Sequence, residues 1–323
     1  MTSKLAEIEQ TGAFKRQGNQ FTAPFGSGEG ELPVEAGRYR ILWAPVCPWA
    51  HRSIIVRKLL GLENAISVGT ADPLRPIIDR VDWAFTLDEE NVDPVLGIHY
   101  ISEVYFNSDP EYTGRPTVPA VVDIASKKVV NNDYHELTYY LETAWKPLHK
   151  EGAPELFPEV LQPEIRELNE RIFHGINNGV YKAGFARSQE AYEQAFDGVF
   201  QLLDELEVRL AAQRYLFGNQ LTDADVRLYV TLARFDIAYN TAFRVNRNRL
   251  VEFPNLWGYA RDLYQTPGFG DTTDFEAIKK HYHLSITNDP NRAFSKILPK
   301  GPDLAGWHTE HGRAQMFEQH NNK

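Results

Sequence analysis

A strand-like run over residues 38–45, Arg38-Tyr39-Arg40-Ile41-Leu42-Trp43-Ala44-Pro45, turns at Cys47-Pro48 into a helical pattern carrying Ile54, Ile55, Leu59 and Leu60. Gly61 breaks that helix, and Ala65-Ile66-Ser67-Val68-Gly69 supplies a second strand. This β-α-β start restricts the chain to architectures in which a helix packs on a sheet. It also places the chain's single cysteine at the first turn of a helix. There the thiol faces unpaired backbone N–H groups and the positive end of the helix dipole, both of which favour thiolate over thiol. Pro48 suits that turn because its missing N–H has no helical partner to lose. His51 and Arg52 add positive charge nearby. With no second cysteine, a disulfide formed by Cys47 must be closed by an outside thiol. The competing reading is plain: a lone cysteine is often a small buried hydrophobe.

Beyond the second strand, residues 71–115 are irregular and acidic, with Asp72, Asp79, Asp82, Asp88, Glu89, Glu90 and Asp93. Ile101–Phe106 reads as a short helix inside them. Pro116–Asp123 reads as a strand containing Pro119, which marks an edge, a bulge or a cis bond. Lys127–Asn131 pairs with it as a hairpin. A further helix is expected from Asn132 or Asp133, either of which can cap it, to about Trp145. The order β-α-β then β-β-α, with a proline opening the second half, describes a thioredoxin-like α/β domain. We assign an extended arm to residues 1–37, this domain to 38–146 and a proline-rich linker to 147–158. An all-helical domain follows over 159–285, then a surface tail over 286–323. In the helical part, Phe196, Val199, Phe200, Leu203, Leu206 and Leu210 recur at helical spacing. Thr222 with Asp225 resembles a capping box, which we read as structural.

At 323 residues the chain suits two domains, and 42% hydrophobic residues suffice for their cores. A net charge of −10 argues against nucleic acid as a partner. No apolar run is long enough for a bilayer. The first nine residues lack the apolar core of a signal peptide, and a single cysteine suits the reducing cytoplasm. His281, His283, His308 and His311 are poorly spaced for a metal site, so no metal is expected. The acidic cluster lacks the spacing of a calcium loop and reads as a solvated face.

The combination of a thioredoxin-like domain with an all-helical one resembles the cytosolic glutathione transferase fold. Cys47-Pro48-Trp49-Ala50-His51-Arg52, Gly114-Arg115-Pro116-Thr117-Val118-Pro119, Val130-Asn131-Asn132-Asp133 and Ile278-Lys279-Lys280-His281-Tyr282 narrow the resemblance to the Xi class, the glutathionyl-hydroquinone reductases. It runs from about residue 38 to 302. The resemblance implies that Cys47 attacks the sulfur of a glutathionyl-hydroquinone, forming a mixed disulfide that a second glutathione releases. It implies that Val118, before a cis Pro119, offers its backbone to the thiol's cysteinyl part. By the same likeness Trp83 and Arg115 hold the peptide, while Tyr181 and Tyr282 contact the quinol oxygen. A phenol there can donate a proton or hydrogen bond as electron density returns to the ring. A homodimer acting on a small quinol thioether, in the cytoplasm, completes the expectation. Without the resemblance, Tyr181, Tyr282 and Trp83 read as core aromatics, Arg115 as a surface ion-pair partner and Asp133 as a helix cap.

One departure concerns the thiol. The family follows its Asn-Asn with an acid and two serines, whereas this chain has Asp133, Tyr134 and His135. Asp133 keeps a carboxylate for an ammonium group; Tyr134 replaces a small hydroxyl by a large one. The co-substrate is therefore glutathione or another low-molecular-weight thiol. Two other functions share the same residues: a glutaredoxin-like thiol transferase or dehydroascorbate reductase, and a non-catalytic binding module on the same fold.

Overall fold

β1 (Tyr39–Trp43) is buried at every residue, as befits a strand with neighbours on both edges. It belongs to the computed structural model of the chain, which describes residues 7–76, 81–285 and 297–317. Asp79, residues 1–6 of the expected arm, and residues 286–296 and 318–323 of the expected tail lie outside the described residues. β1 pairs in parallel with β2 (Ile66–Thr70), Tyr39 opposite Ile66 and Trp43 opposite Thr70. Its other edge pairs antiparallel with β3 (Ala120–Asp123), which pairs antiparallel with β4 (Lys128–Asn131). The resulting order is β2-β1-β3-β4. This is the β-α-β, β-β-α arrangement expected from the sequence.

α1 (Pro48–Leu59) follows β1, α2 (Ile101–Ser108) precedes β3, and α3 (Leu137–Glu142) follows β4. α3 starts later than expected, and its N-cap is Glu136 rather than Asn132 or Asp133. Those two residues serve other contacts, described below. β4 is one of the two edge strands, and chain from the amino-terminal arm lies along it. Thr22 bridges Asn131, Asn132 N–H donates to Phe21 O (2.8 Å), and Asn131 Nδ2 donates to Ala23 O (2.9 Å). An edge with unpaired backbone groups is thereby covered.

Two compact units divide the chain. The first holds Arg16–Ala153 with residues 276–285 and 297–298; the second holds Glu7–Lys15, Pro154–Phe275 and residues 299–317. The expected linker 147–158 brackets the change at 153/154. The expected arm is divided between units at 15/16. Residues 276–285, expected to close the helical domain, group with the first unit. A local helical pattern carries no record of the contacts responsible, a ring stack and a hydrogen bond from His281.

The second unit is helical: α4 (Gln162–Ile172), α5 (Gly179–Phe185), α6 (Gln189–Ala212), α7 (Asp223–Arg234), the short α8 (Asn240–Ala242) and α9 (Pro254–Gln265). α7 is buried throughout. α6 buries Val199, Phe200, Leu203, Leu206 and Leu210 of the stripe its periodicity predicts, while Phe196, the first residue of that stripe, is half-buried. Asp225 accepts from Thr222 N–H (2.8 Å), Leu216 N–H (2.9 Å) and the Tyr259 hydroxyl (2.7 Å). Arg313 reaches from the tail to the end of α6, donating to Leu210 O and Arg214 O at 3.0 Å each. α10 (Phe275–Leu284) begins at the last residue of this unit and otherwise belongs to the first. Among the described residues no helix is long and apolar enough to cross a membrane.

Candidate active site

Cys47 is the N-cap of α1, in extended conformation, with Pro48 as the first helical residue. The turn that delivers it closes through Cys47 N–H to Ala44 O (2.9 Å), and Cys47 O accepts from His51 N–H (3.0 Å). The side chain does not cap the helix, and the first turn holds no acidic residue. Half-buried, the sulfur sits at the end of the helix where backbone N–H groups lack helical partners. Its Sγ–H donates to Val118 O at 3.3 Å. Val118 precedes the cis bond to Pro119, and Ala120 then opens β3. Tyr105 steadies this loop, donating to Thr117 O (2.8 Å) and accepting from Asn132 Nδ2 (3.2 Å).

Of the two cationic candidates beside Cys47, His51 is fully buried with its ring 6.2 Å from that of Trp43. Arg52 is buried too, with its guanidinium 5.1 Å from the Trp49 ring centre and Nη2 donating to Tyr134 O (2.7 Å). Tyr134 packs on the same indole, ring centres 5.2 Å apart. Burial pushes the Tyr134 phenol above its ordinary pKa; Arg16 and Arg52 act against that, and Asp133 and Cys47 reinforce it. The phenol is therefore a neutral donor at physiological pH, within electrostatic reach of the thiol.

Asp133 does not cap α3. Its Oδ1 accepts from Asn19 Nδ2 and from His135 N–H, both at 3.0 Å. Arg115 is engaged through its backbone: its N–H donates to Gln17 Oε1 (2.8 Å) and its carbonyl accepts from Gln17 Nε2 (3.2 Å). The structure adds Gln17, Asn19, Tyr105 and Trp49 as contacts of the candidate residues. Trp49 carried a signal, since it lies two positions after Cys47 on the helix; the other three carried none, being distant in sequence from what they hold.

Trp83 is buried, with the Arg75 guanidinium 4.6 Å from its ring centre and the His281 ring stacked on it at 5.6 Å and 18°. His281 Nδ1 lies 2.7 Å from Pro73 O, and since a carbonyl only accepts, that nitrogen carries the hydrogen. Tyr282 is buried next along α10, edge-on to His281. These contacts bring Trp83 and the Tyr282 segment together within the first unit. Tyr181 belongs to the second unit. It lies on α5 with its hydroxyl 3.5 Å from that of Tyr239 and its ring 5.2 Å from that of Phe243. π-helical turns, Phe173–Asn177 and Phe235–Tyr239, precede α5 and end at Tyr239; such turns are frequent at functional sites. Among the described residues no group of His, Cys, Asp and Glu side chains is arranged to hold a metal ion.

A cysteine at a helix start facing the residue before a cis-proline, in a β2-β1-β3-β4 sheet unit followed by a helical unit, defines a glutathione transferase. The family model for the amino-terminal domain of glutathione S-transferase matches residues 46–144, and that for the carboxy-terminal domain matches 189–262. The chain is 40% identical to the Escherichia coli glutathionyl-hydroquinone reductase YqjG over 85% of each chain. It is 36% identical to the Sphingobium chlorophenolicum glutathionyl-hydroquinone reductase PcpF over 90% of each. Its structure matches a glutathione transferase from Gordonia bronchialis with a TM-score of 0.86 and 50% identity, covering 91% of this chain and 90% of that one. It matches glutathione-bound YqjG with a TM-score of 0.80, covering 92% and 95%. The chain belongs to the glutathione transferase family, in its Xi class of glutathionyl-hydroquinone reductases.

Proposed function

We propose that this protein reduces glutathionyl-hydroquinones to hydroquinones, with glutathione as co-substrate and Cys47 as nucleophile. The thiolate attacks the thioether sulfur; an S–S bond forms, the aryl C–S bond breaks, and its electron pair returns to the ring carbon, which takes a proton. A second glutathione thiolate then attacks the mixed disulfide, releasing glutathione disulfide and regenerating Cys47. The net reaction consumes one aryl thioether and one glutathione and yields one hydroquinone and one disulfide. One observation carries the reading: the Cys47 sulfur, at the start of α1, lies 3.3 Å from Val118 O beside cis-Pro119.

In this reading Val118 and Pro119 align the cysteinyl part of the thiol, as a sheet edge does. Trp83, Arg115, Asp133 and Tyr134 hold the remainder of the peptide. Tyr181 and Tyr282 serve the quinol oxygen, where a phenol offsets developing charge. The protein acts as a homodimer in the cytoplasm, a reading supported by the family resemblance and by the single cysteine; light scattering on the purified protein tests the dimer.

The test of the reaction is mass spectrometry after incubation with glutathionyl-menadiol and no added thiol. A single glutathione adduct on Cys47, with menadiol released, is the expected result. Labelling by glutathione disulfide without reaction on the thioether would favour a thiol transferase or dehydroascorbate reductase. Failure of both would leave a non-catalytic binding module or a site for a different low-molecular-weight thiol.

A further inference from the structure

The amino-terminal arm is stitched to the loops that carry the thiol-binding candidates. Gln17 binds the Arg115 backbone in both directions, and Asn19 donates to the Asp133 carboxylate. Phe21 exchanges hydrogen bonds with Asn132, its N–H donating to Asn132 Oδ1 (3.1 Å) and its carbonyl accepting from Asn132 N–H (2.8 Å). The residue immediately before this anchored stretch is Arg16. It is half-buried, and its guanidinium carbon lies 4.7 Å from the centre of the Trp49 ring. Trp49 sits in the first turn of α1, two residues from the nucleophile, and packs on Tyr134. An arginine from outside the thioredoxin-like core is thus held beside the residues that surround the thiol.

We propose that Arg16 is a specificity-determining residue of the thiol site, binding a carboxylate of the low-molecular-weight thiol co-substrate. The inference rests on the glutathione-dependent reading above and extends it to a segment outside the core domain. A guanidinium presents its donors in a planar fork that matches a carboxylate, and the Trp49 indole holds this one beside α1. Asp133 is the arm's counterpart: its Oδ1 is occupied by Asn19 and His135 N–H, and its charge suits the ammonium end of a γ-glutamyl group. Arg16 and Asp133 then form a pair of opposite charges that reads a zwitterionic thiol.

Calorimetric titration of the reduced full-length protein tests this with two ligands, glutathione and glutathione diethyl ester, which lacks both carboxylates. Wild-type protein is expected to bind glutathione at least about tenfold more tightly than the ester. Arg16→Gln should remove most of that preference by weakening glutathione alone, and Arg16→Lys should restore part of it. Equal weakening of both ligands would mark Arg16 as a merely structural support of the arm, and an undiminished preference in Arg16→Gln would also overturn the proposal. So would wild-type protein that binds neither thiol or does not distinguish them. Failure of the underlying catalytic reading has a different signature: no menadiol release from glutathionyl-menadiol by wild-type protein, whatever the calorimetry gives.

Discussion

The Cys47 thiol donates to the Val118 carbonyl across 3.3 Å, although 71 residues separate the two in the chain. The contact joins the start of α1 to the loop that opens β3, so the sheet's own register sets the position of the sulfur. Replacing Cys47 by Ser should keep the fold, because the side chain is half-buried and caps nothing, yet lower menadiol release by on the order of 10³-fold or more. Steady-state assay beside a melting curve checks both halves. Substantial residual turnover in a folded variant would refute the role.

Tyr282→Phe and Tyr181→Phe should each slow aryl-thioether reduction by about 10²-fold, the range for loss of a general acid, and leave exchange with glutathione disulfide nearly unchanged. The comparison is made on one preparation with both substrates. Equal losses on the two would assign these tyrosines to packing, in keeping with their burial.

Asp225 supplies a pH dependence in the helical unit. Burial raises its pKa to about 6, against the pull of four hydrogen-bond donors, the Leu216 and Thr222 N–H groups and the Tyr259 and Thr222 hydroxyls. Since the folded value lies above the unfolded one, its contribution to stability is full below about pH 4 and is lost as pH rises through 6. The stability of wild type relative to Asp225→Asn, from urea unfolding, should therefore decline between those limits. A flat difference would contradict the assignment.

Arg313 should matter more for stability than for catalysis. Its guanidinium occupies Leu210 O in the last turn of α6, a carbonyl that a helix leaves without an internal partner, and Arg214 O just beyond the helix. Arg313→Met should destabilise the protein by roughly 2–4 kcal/mol, the scale for buried polar groups left unmatched. Chemical denaturation gives the stability and single-turnover kinetics the chemistry; a loss under 0.5 kcal/mol would contradict the assignment.

What the sequence disclosed follows the range of the forces involved. β1, α1, β2 and the β3–β4 hairpin are written in periods of two and 3.6, and Pro119 announces its own backbone constraint. Asn132 and Asp133 misled because a capping residue and a residue held by a distant partner look alike locally. Asn132 answers to Phe21 and Tyr105, and Asp133 to Asn19, so α3 begins at Leu137 instead. The grouping of residues 276–285 with the sheet unit was equally invisible, because it depends on His281 meeting Pro73 and Trp83. For Cys47, helix start and proline are legible; family likeness sets the Val118 backbone against the co-substrate, and its carbonyl 3.3 Å from the sulfur appears only in the structure. Arg16 and Gln17 passed unnoticed as part of a polar arm.

The hydrogen bonds that fix the arm span 98 residues from Gln17 to Arg115, 111 from Phe21 to Asn132 and 114 from Asn19 to Asp133. During synthesis the arm is made roughly a hundred residues before its partners exist. Closing loops of that length is slow compared with forming a helix or hairpin, so local elements are in place before the arm docks. The arm consequently docks only once the loops carrying Arg115, Asn132 and Asp133 have been made, and a polypeptide released before about residue 133 holds Cys47 without those contacts.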